Sequence, residues 1–258
     1  MRVARYIVLA SFAAACGPHL ACQSGAAPLA YEIVSVRPSA PDTYSEGINP
    51  LPNGVGYNGI GVTVRNMLAV MYRLPPRQII GGPDWVDNER FDVMVRADHR
   101  YSIDELHTMF QNMLADRFHL KLHIETKDGP VYALAIAKSG LKMTPVDEGS
   151  ARNSPIQTES ENVYTADRVP MVYLCFWLGL QLENDHRPVV DETGLAGHYD
   201  FKLTFRPQLA PEGSSSREAE NLPSIFDAMR DQLGLQLIPK TGPVQTLVID
   251  HVEKPSEN

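Results

Sequence analysis

The chain has 258 residues, 43% of them hydrophobic, and carries 31 acidic against 23 basic side chains, a formal charge of −8. This length can bury one good core or two half-sized ones packed together. The acidic balance excludes partners sought through long-range attraction to phosphate, so neither nucleic acid nor an anionic lipid surface is expected.

In chain order, Arg2 and Arg5 precede an apolar run over residues 6–15, and small residues follow it. The run is too short to span a bilayer as a helix and reads as an export signal, with residues 1–27 as signal and linker. Ala13-Ala14-Ala15-Cys16-Gly17 is similar to a lipobox, although Ala13 stands where Leu is usual. Cleavage there would make Cys16 a lipid attachment site; cleavage within residues 21–27 would release a soluble secreted protein. With Cys16 and Cys22 near the signal, Cys175 is left in the folded body as a small core residue, and a disulfide framework is excluded.

Residues 31–37 alternate apolar and polar and stop at Pro38, which predicts a strand. Residues 39–61, rich in Pro, Gly and Asn, read as a loop. Val64, Met67, Leu68, Met71 and Tyr72 are spaced for an amphipathic helix that ends at Pro75-Pro76. A turn at Gly81-Gly82-Pro83 leads to a strand over residues 91–96. Ser102 and Glu105 form a capping box, and Ile103, Leu106, Phe110, Met113, Leu114 and Phe118 supply the buried stripe of the next helix. Residues 118–125 alternate as a strand, Lys127-Asp128-Gly129-Pro130 is expected to turn, and residues 131–136 make a second strand.

The order then recurs. A helical stripe covers residues 171–182, a strand residues 199–205, and a helix residues 223–233, closed by Gly234. Strands over 235–238 and 244–252 follow. Phe91-Asp92-Val93 matches Tyr199-Asp200-Phe201, and Lys127-Asp128-Gly129-Pro130-Val131 matches Lys240-Thr241-Gly242-Pro243-Val244. The expectation is an α+β fold built by internal duplication of a helix-strand-helix-strand-strand unit, its two pseudo-symmetric halves packed together. The halves are residues 28–143 and 163–258, joined by a polar linker at 144–162, with a mobile insertion at 207–221.

Catalytic signals are absent as motifs. Gly54-x-Gly56-x-x-Gly59 has the letters of a dinucleotide fingerprint, but no predicted strand precedes it, so it reads as a turn. His119, His123 and Glu125 share one predicted strand face, too widely spaced to chelate well. Glu183-x-x-His186 lacks a partner in the other half and reads as a helix terminus. Asp98-His99 and Asp250-His251 are neighbours, and strand neighbours face opposite ways, so no dyad is expected from either. No catalytic residue, metal site or cofactor is assigned. Two related loops stand out, residues 81–85 and 191–197. They read either as structural, with Trp85 a lid on the core, or as one recognition surface with Trp85 as anchor and Asp84, Asp191 and Glu192 as polar contacts.

The series Tyr31-Glu32-Ile33-Val34-Ser35-Val36-Arg37-Pro38, Gln78-Ile79-Ile80-Gly81-Gly82-Pro83-Asp84-Trp85, Met113-Leu114-Ala115-Asp116-Arg117-Phe118, Arg187-Pro188-Val189-Val190-Asp191-Glu192-Thr193-Gly194-Leu195 and Val248-Ile249-Asp250-His251-Val252-Glu253-Lys254-Pro255 resembles the uncharacterised exported proteins expanded in soil acidobacteria, domain of unknown function 3738. That family has no established activity, and its domain is also found attached to membrane peptidases that resemble beta-lactam sensors. The resemblance therefore implies an extracytoplasmic binding or sensing role, toward a protein, peptide or glycan, in the periplasm, the cell envelope or the medium. A hydrolase using Asp92 and Asp200 and a structural surface lipoprotein are the alternatives.

Overall fold

The computed structural model describes residues 29–147, 156–206 and 221–255; the predicted export signal with Cys16, and all but residue 221 of the predicted insertion, lie outside the described residues. Among the described residues, three four-stranded sheets organise the fold. In the first, β1 (Ile33–Pro38) pairs with β5 (Phe91–Arg96), β5 with β3 (Gly56–Val62), and β3 with β2 (Gly47–Pro50), all antiparallel. In the third, β7 (Thr144–Val146), β11 (His198–Thr204), β9 (Val163–Pro170) and β8 (Ile156–Ser160) lie in that order, again antiparallel.

Between them runs a ribbon of two long strands, β6 (Lys121–Ile136) and β12 (Leu235–His251). The ribbon carries β10 (Val189–Asp191) parallel to β6 on one edge and β4 (Ile79–Gly81) parallel to β12 on the other. The predicted turn at Gly129-Pro130 does not form, and the predicted gap between strands at Gly242-Pro243 is absent as well. Each strand runs straight through, and Gly129 pairs with Gly242. Proline is tolerated in a strand where its nitrogen faces an unpaired edge. The Tyr132 N–H donates outward to the Pro188 carbonyl (2.8 Å), so Pro130, two residues earlier, points its nitrogen the same way, just beyond the end of β10. Gln245 presents its carbonyl to the Gln78 side chain on the β4 side (2.6 Å), and Pro243 faces that edge two residues earlier.

The helices follow the expected chemistry more closely. α1 (Val64–Tyr72) starts where the Thr63 hydroxyl accepts the Asn66 amide and stops at Arg73, held left-handed at φ 53°. α2 (Trp85–Asn88) is one short turn. α3 (Ile103–Arg117) has the predicted reciprocal cap, Ser102 with Glu105, and buries Leu106, Met109, Phe110, Met113 and Leu114 together with His107. α4 (Met171–Gln181) is apolar on nearly every side and buries Met171, Leu174, Cys175, Phe176, Trp177, Leu178 and Gly179. α5 is α-helical over Ile225–Ala228, widens to a π-helical turn over Met229–Leu233, and ends at left-handed Gly234.

The first lobe therefore reads β3-α1-β4-β5-α3-β6 and the second β9-α4-β10-β11-α5-β12. There are two cores, and both ribbon strands serve both. Leu120 and Leu122 of the β6 side join the first core, Tyr132 and Leu134 the second. Leu235 of β12 is in the second core while Leu247 and Ile249, near its far end, complete the first. Strands β7 and β8 occupy part of the segment read as a linker, and β2 and β3 part of the segment read as a loop. Both misreadings concern short strands rich in polar residues, Pro or Gly, which carry little alternation.

Candidate functional site

The two loops proposed as one recognition surface are not brought together. Gly81, at the end of β4, lies level with Ile249 and hence with Leu122 on β6, whereas Asp191, at the end of β10, lies level with Leu134. Twelve strand positions separate those levels, about 40 Å at 3.3 Å per residue, and the loops sit on opposite edges. Trp85 packs against the first core edge-on to Phe91 (ring centroids 6.4 Å), with the Lys254 ammonium 5.9 Å above its ring. Asp84 is exposed, and its carbonyl accepts from the Asn88 amide side chain (2.9 Å). The Asp191 carboxylate accepts from the Thr193 N–H (2.9 Å) and hydroxyl (2.7 Å), a local turn. Glu192 pairs with Lys240 (2.7 Å), across the intervening strand β6.

Asp92 and Asp200 occupy matching places in the first and third sheets. The Gly61 N–H donates to Asp92 Oδ1 (3.1 Å), and the Arg168 N–H donates to Asp200 Oδ1 (2.7 Å). Both donors have positive φ, 63° and 54°, beside a register shift in the β3–β5 and β9–β11 pairings. Each carboxylate thus holds a β-bulge by satisfying an amide that the ladder has released. Asp92 also accepts from the Ser39 hydroxyl (2.7 Å), and that bond, with lesser help from the Gly61 amide and Arg37, holds its carboxyl below the usual range against the opposing desolvation. The Gly-rich segment is structural as well: a Cβ at Gly56, where φ is 151°, would lie 2.0 Å from the Val95 carbonyl oxygen.

The other nucleophile and base candidates are scattered. Burial, and then the charge of Asp191, push the Cys175 thiol up to about 12, so it holds its proton. His119 sits outside β6 in a left-handed turn (φ 49°), so the expected row with His123 and Glu125 is not formed. His123 keeps a contact to Glu125 (3.5 Å) and also reaches across the ribbon to Asp250 (2.9 Å). Asp98 and His99 do pair (2.9 Å), contrary to expectation, because β5 ends at Arg96 and the strand geometry no longer separates them. Among the described residues no group of three or more His, Cys, Asp or Glu side chains could hold a metal ion.

Two further places were not visible in the sequence. One lies where the lobes meet. Arg73 pairs with Asp104, and beside them are the buried His107 and Tyr57. From the second lobe, Tyr173 acts electrostatically on Tyr57, and His198 acts on Asp104. Burial first, then the Arg73 charge, push the His107 imidazole down to about 4. Its Nδ1 and the Nε of Arg73 are both buried without a hydrogen-bond partner.

The other is an open cleft of about 360 Å³ at the far end of the second lobe, lined by Lys138, Ser139, Lys142, Arg230, Asp231 and Gln236. Its walls come from the turn after β6, the π-helical end of α5 and the start of β12. These residues are dispersed along the chain and share no local pattern, which is why reading by motif passes over them.

The family model for proteins of unknown function designated DUF3738 matches residues 65–252. No curated protein and no solved structure matches the chain.

Proposed function

The chain belongs to the DUF3738 family, and on that premise we propose that it is an internally duplicated binding module that works outside the cytoplasm, on a protein, peptide or glycan of the cell envelope or its surroundings. Support for duplication comes from the recurring element order, from the shared strand order of the two outer sheets, and from Gly129 pairing with Gly242, its own counterpart in the repeated motif. On this reading a pseudo-two-fold relation between these glycines would exchange the lobes, and β4 with β10. Export rests on the basic and then apolar N-terminal segment. Among the described residues, no helix is long and apolar enough to cross a membrane.

The observation that carries binding over hydrolysis is the fate of Asp92 and Asp200. Both carboxylates are engaged as bulge clamps, in separate sheets, with neither aimed at the other across a cleft. A pair that flanks a scissile bond would face a shared space.

The full chain expressed in its host should be recovered outside the cytoplasm, its N-terminus either an acylated Cys16 or a residue within 21–27; cytoplasmic protein that retains Met1 refutes export. On arrays of envelope and environmental glycans and peptides the chain should retain ligand without turnover. Turnover abolished by Asp200→Asn, with the melting temperature unchanged, would instead make it a hydrolase.

A further inference from the structure

We infer that the cleft at the end of the second lobe is an oxyanion site, taking a phosphate or carboxylate group of the ligand. This rests on the binding reading above and names the chemistry of one contact.

The cleft is rich in donors, and the carboxylate that lines it is already engaged by Arg230. Arg230 is fixed from two sides, donating to Asp227 (2.6 Å) and to Asp231 (3.0 Å). Lys142 donates to the Asp231 carbonyl (2.6 Å), which anchors its ammonium at the rim. Lys138 is exposed and makes no hydrogen bond or ion pair among the described residues, so one full positive charge remains unanswered. Ser139 adds a hydroxyl, and Gln236 adds an amide whose bond to the Ile136 carbonyl is long, at 3.5 Å. Three cations and two neutral donors thus surround a space with one lining carboxylate, and that carboxylate already holds Arg230. Charge-assisted bonds from ammonium and guanidinium groups to an oxyanion are the strongest hydrogen bonds such a set can form. The volume is at the small end for ligand sites, which suits one anionic group with a short attachment.

The backbone around the space is fixed. Ala137 N–H donates to the Gly234 carbonyl, Lys142 N–H to Leu233, and Gly140 N–H to Ala137. A Cβ at Gly234 would lie 1.9 Å from the Gly140 oxygen, so this glycine lets the post-β6 turn close against the end of α5. The chain as a whole is acidic, so the cationic character is local to this corner. The matching corner of the first lobe is the internal contrast. There Glu253 N–H donates to the Phe118 carbonyl, as Lys142 N–H does to Leu233, but the side chain is a carboxylate.

The test is calorimetric titration of the full chain with inorganic phosphate, and separately with D-galacturonate, in low-salt buffer. Saturable binding of at least one probe is expected, weakened about tenfold by Lys138→Ala and kept by Lys138→Arg, because the lost contact is charge-assisted. Lys138 is exposed and unpaired, so Lys138→Ala should melt like the parent in the absence of ligand. Phosphate alone binding identifies a phosphate-bearing ligand; galacturonate alone identifies a carboxylate-bearing one. The site is overturned if neither probe saturates, or if Lys138→Ala binds as the parent does. An array ligand retained equally by parent and Lys138→Ala leaves the module standing and removes this site. Lys138-dependent phosphate binding with no array ligand does the reverse.

Discussion

The turn from α3 into β6 and the turn from α5 into β12 share two backbone features but are decorated oppositely. Each helix ends in a left-handed residue, His119 at φ 49° and Gly234 at φ 69°. Each preceding carbonyl, on Phe118 and on Leu233, accepts an amide from the tail of the partner half, Glu253 in one case and Lys142 in the other (2.7 and 2.9 Å). At the first corner Glu253 gathers His251 (2.8 Å) and His119 (3.6 Å). At the second, Lys138, Lys142 and Arg230 gather around a cleft. Hydrogen bonds and φ angles persist where side-chain charge does not. The two turns are therefore alike in backbone geometry, and their side-chain chemistry is free to differ.

The comparison breaks first if the lobes are separable, and Leu247 decides that. It belongs by chain order to the second lobe but is fully buried in the first core. Leu247→Ala should cost about 3 kcal/mol, within the 2–5 kcal/mol typical of buried leucine truncation. Hydrogen exchange should speed up in β5 and α3 of the first lobe at least as much as in β11 and α5. Acceleration confined to the second lobe would mean that the lobes do not share the ribbon as described.

Next in size is an asymmetry at the junction. A fall of the His107 value from 6.5 to about 4 corresponds to about 3 kcal/mol. Above pH 6.5 the imidazole is neutral folded or unfolded, and nothing is lost. As pH falls from 6.5 toward 4, the unfolded chain binds a proton that the folded chain refuses, so stability drops, and the loss levels off below 4. Asp104, Arg73, Tyr57, Tyr173 and His198 all face this region, and their own titrations remain in a His107→Gln variant. Urea unfolding at pH 7.0 and 4.5 should therefore show the parent losing about 2–3 kcal/mol more than His107→Gln. Equal losses would show that His107 is not a buried neutral base.

What the sequence made legible was whatever depends on local pattern. The capping box at Ser102 and Glu105, the stripe of α1 and the repeated Gly-Pro motif could all be read directly, and the α+β class followed. The ribbon was misread because Gly129-Pro130 carries the letters of a turn. Whether it turns depends on an unpaired edge, which only the tertiary arrangement of β10 supplies. His107 carries no local signal of burial, since the Tyr57 ring packed against it is distant in the chain. Trp85 was readable as a core lid, and it packs as one on Phe91. The cationic cleft had no sequence signature, because its side chains are assembled by the α5–β12 corner closing on the turn after β6.

The smallest effect tests the opening contrast most directly. A non-glycine residue in the left-handed region costs roughly 1–2 kcal/mol, less for residues that tolerate it. His119→Gly removes that cost but gives the unfolded chain more freedom and loses the solvent-screened contact to Glu253, which contributes little. The terms nearly cancel, so the variant should be between neutral and about 1 kcal/mol more stable, a melting-temperature change of at most about 2–4 °C for a chain of this size. If the corners are one backbone with exchangeable decoration, glycine must be acceptable at 119 because it already serves at 234. A fall of several degrees would show instead that the His119 side chain holds the first corner closed, and that the two turns are alike in shape for different reasons.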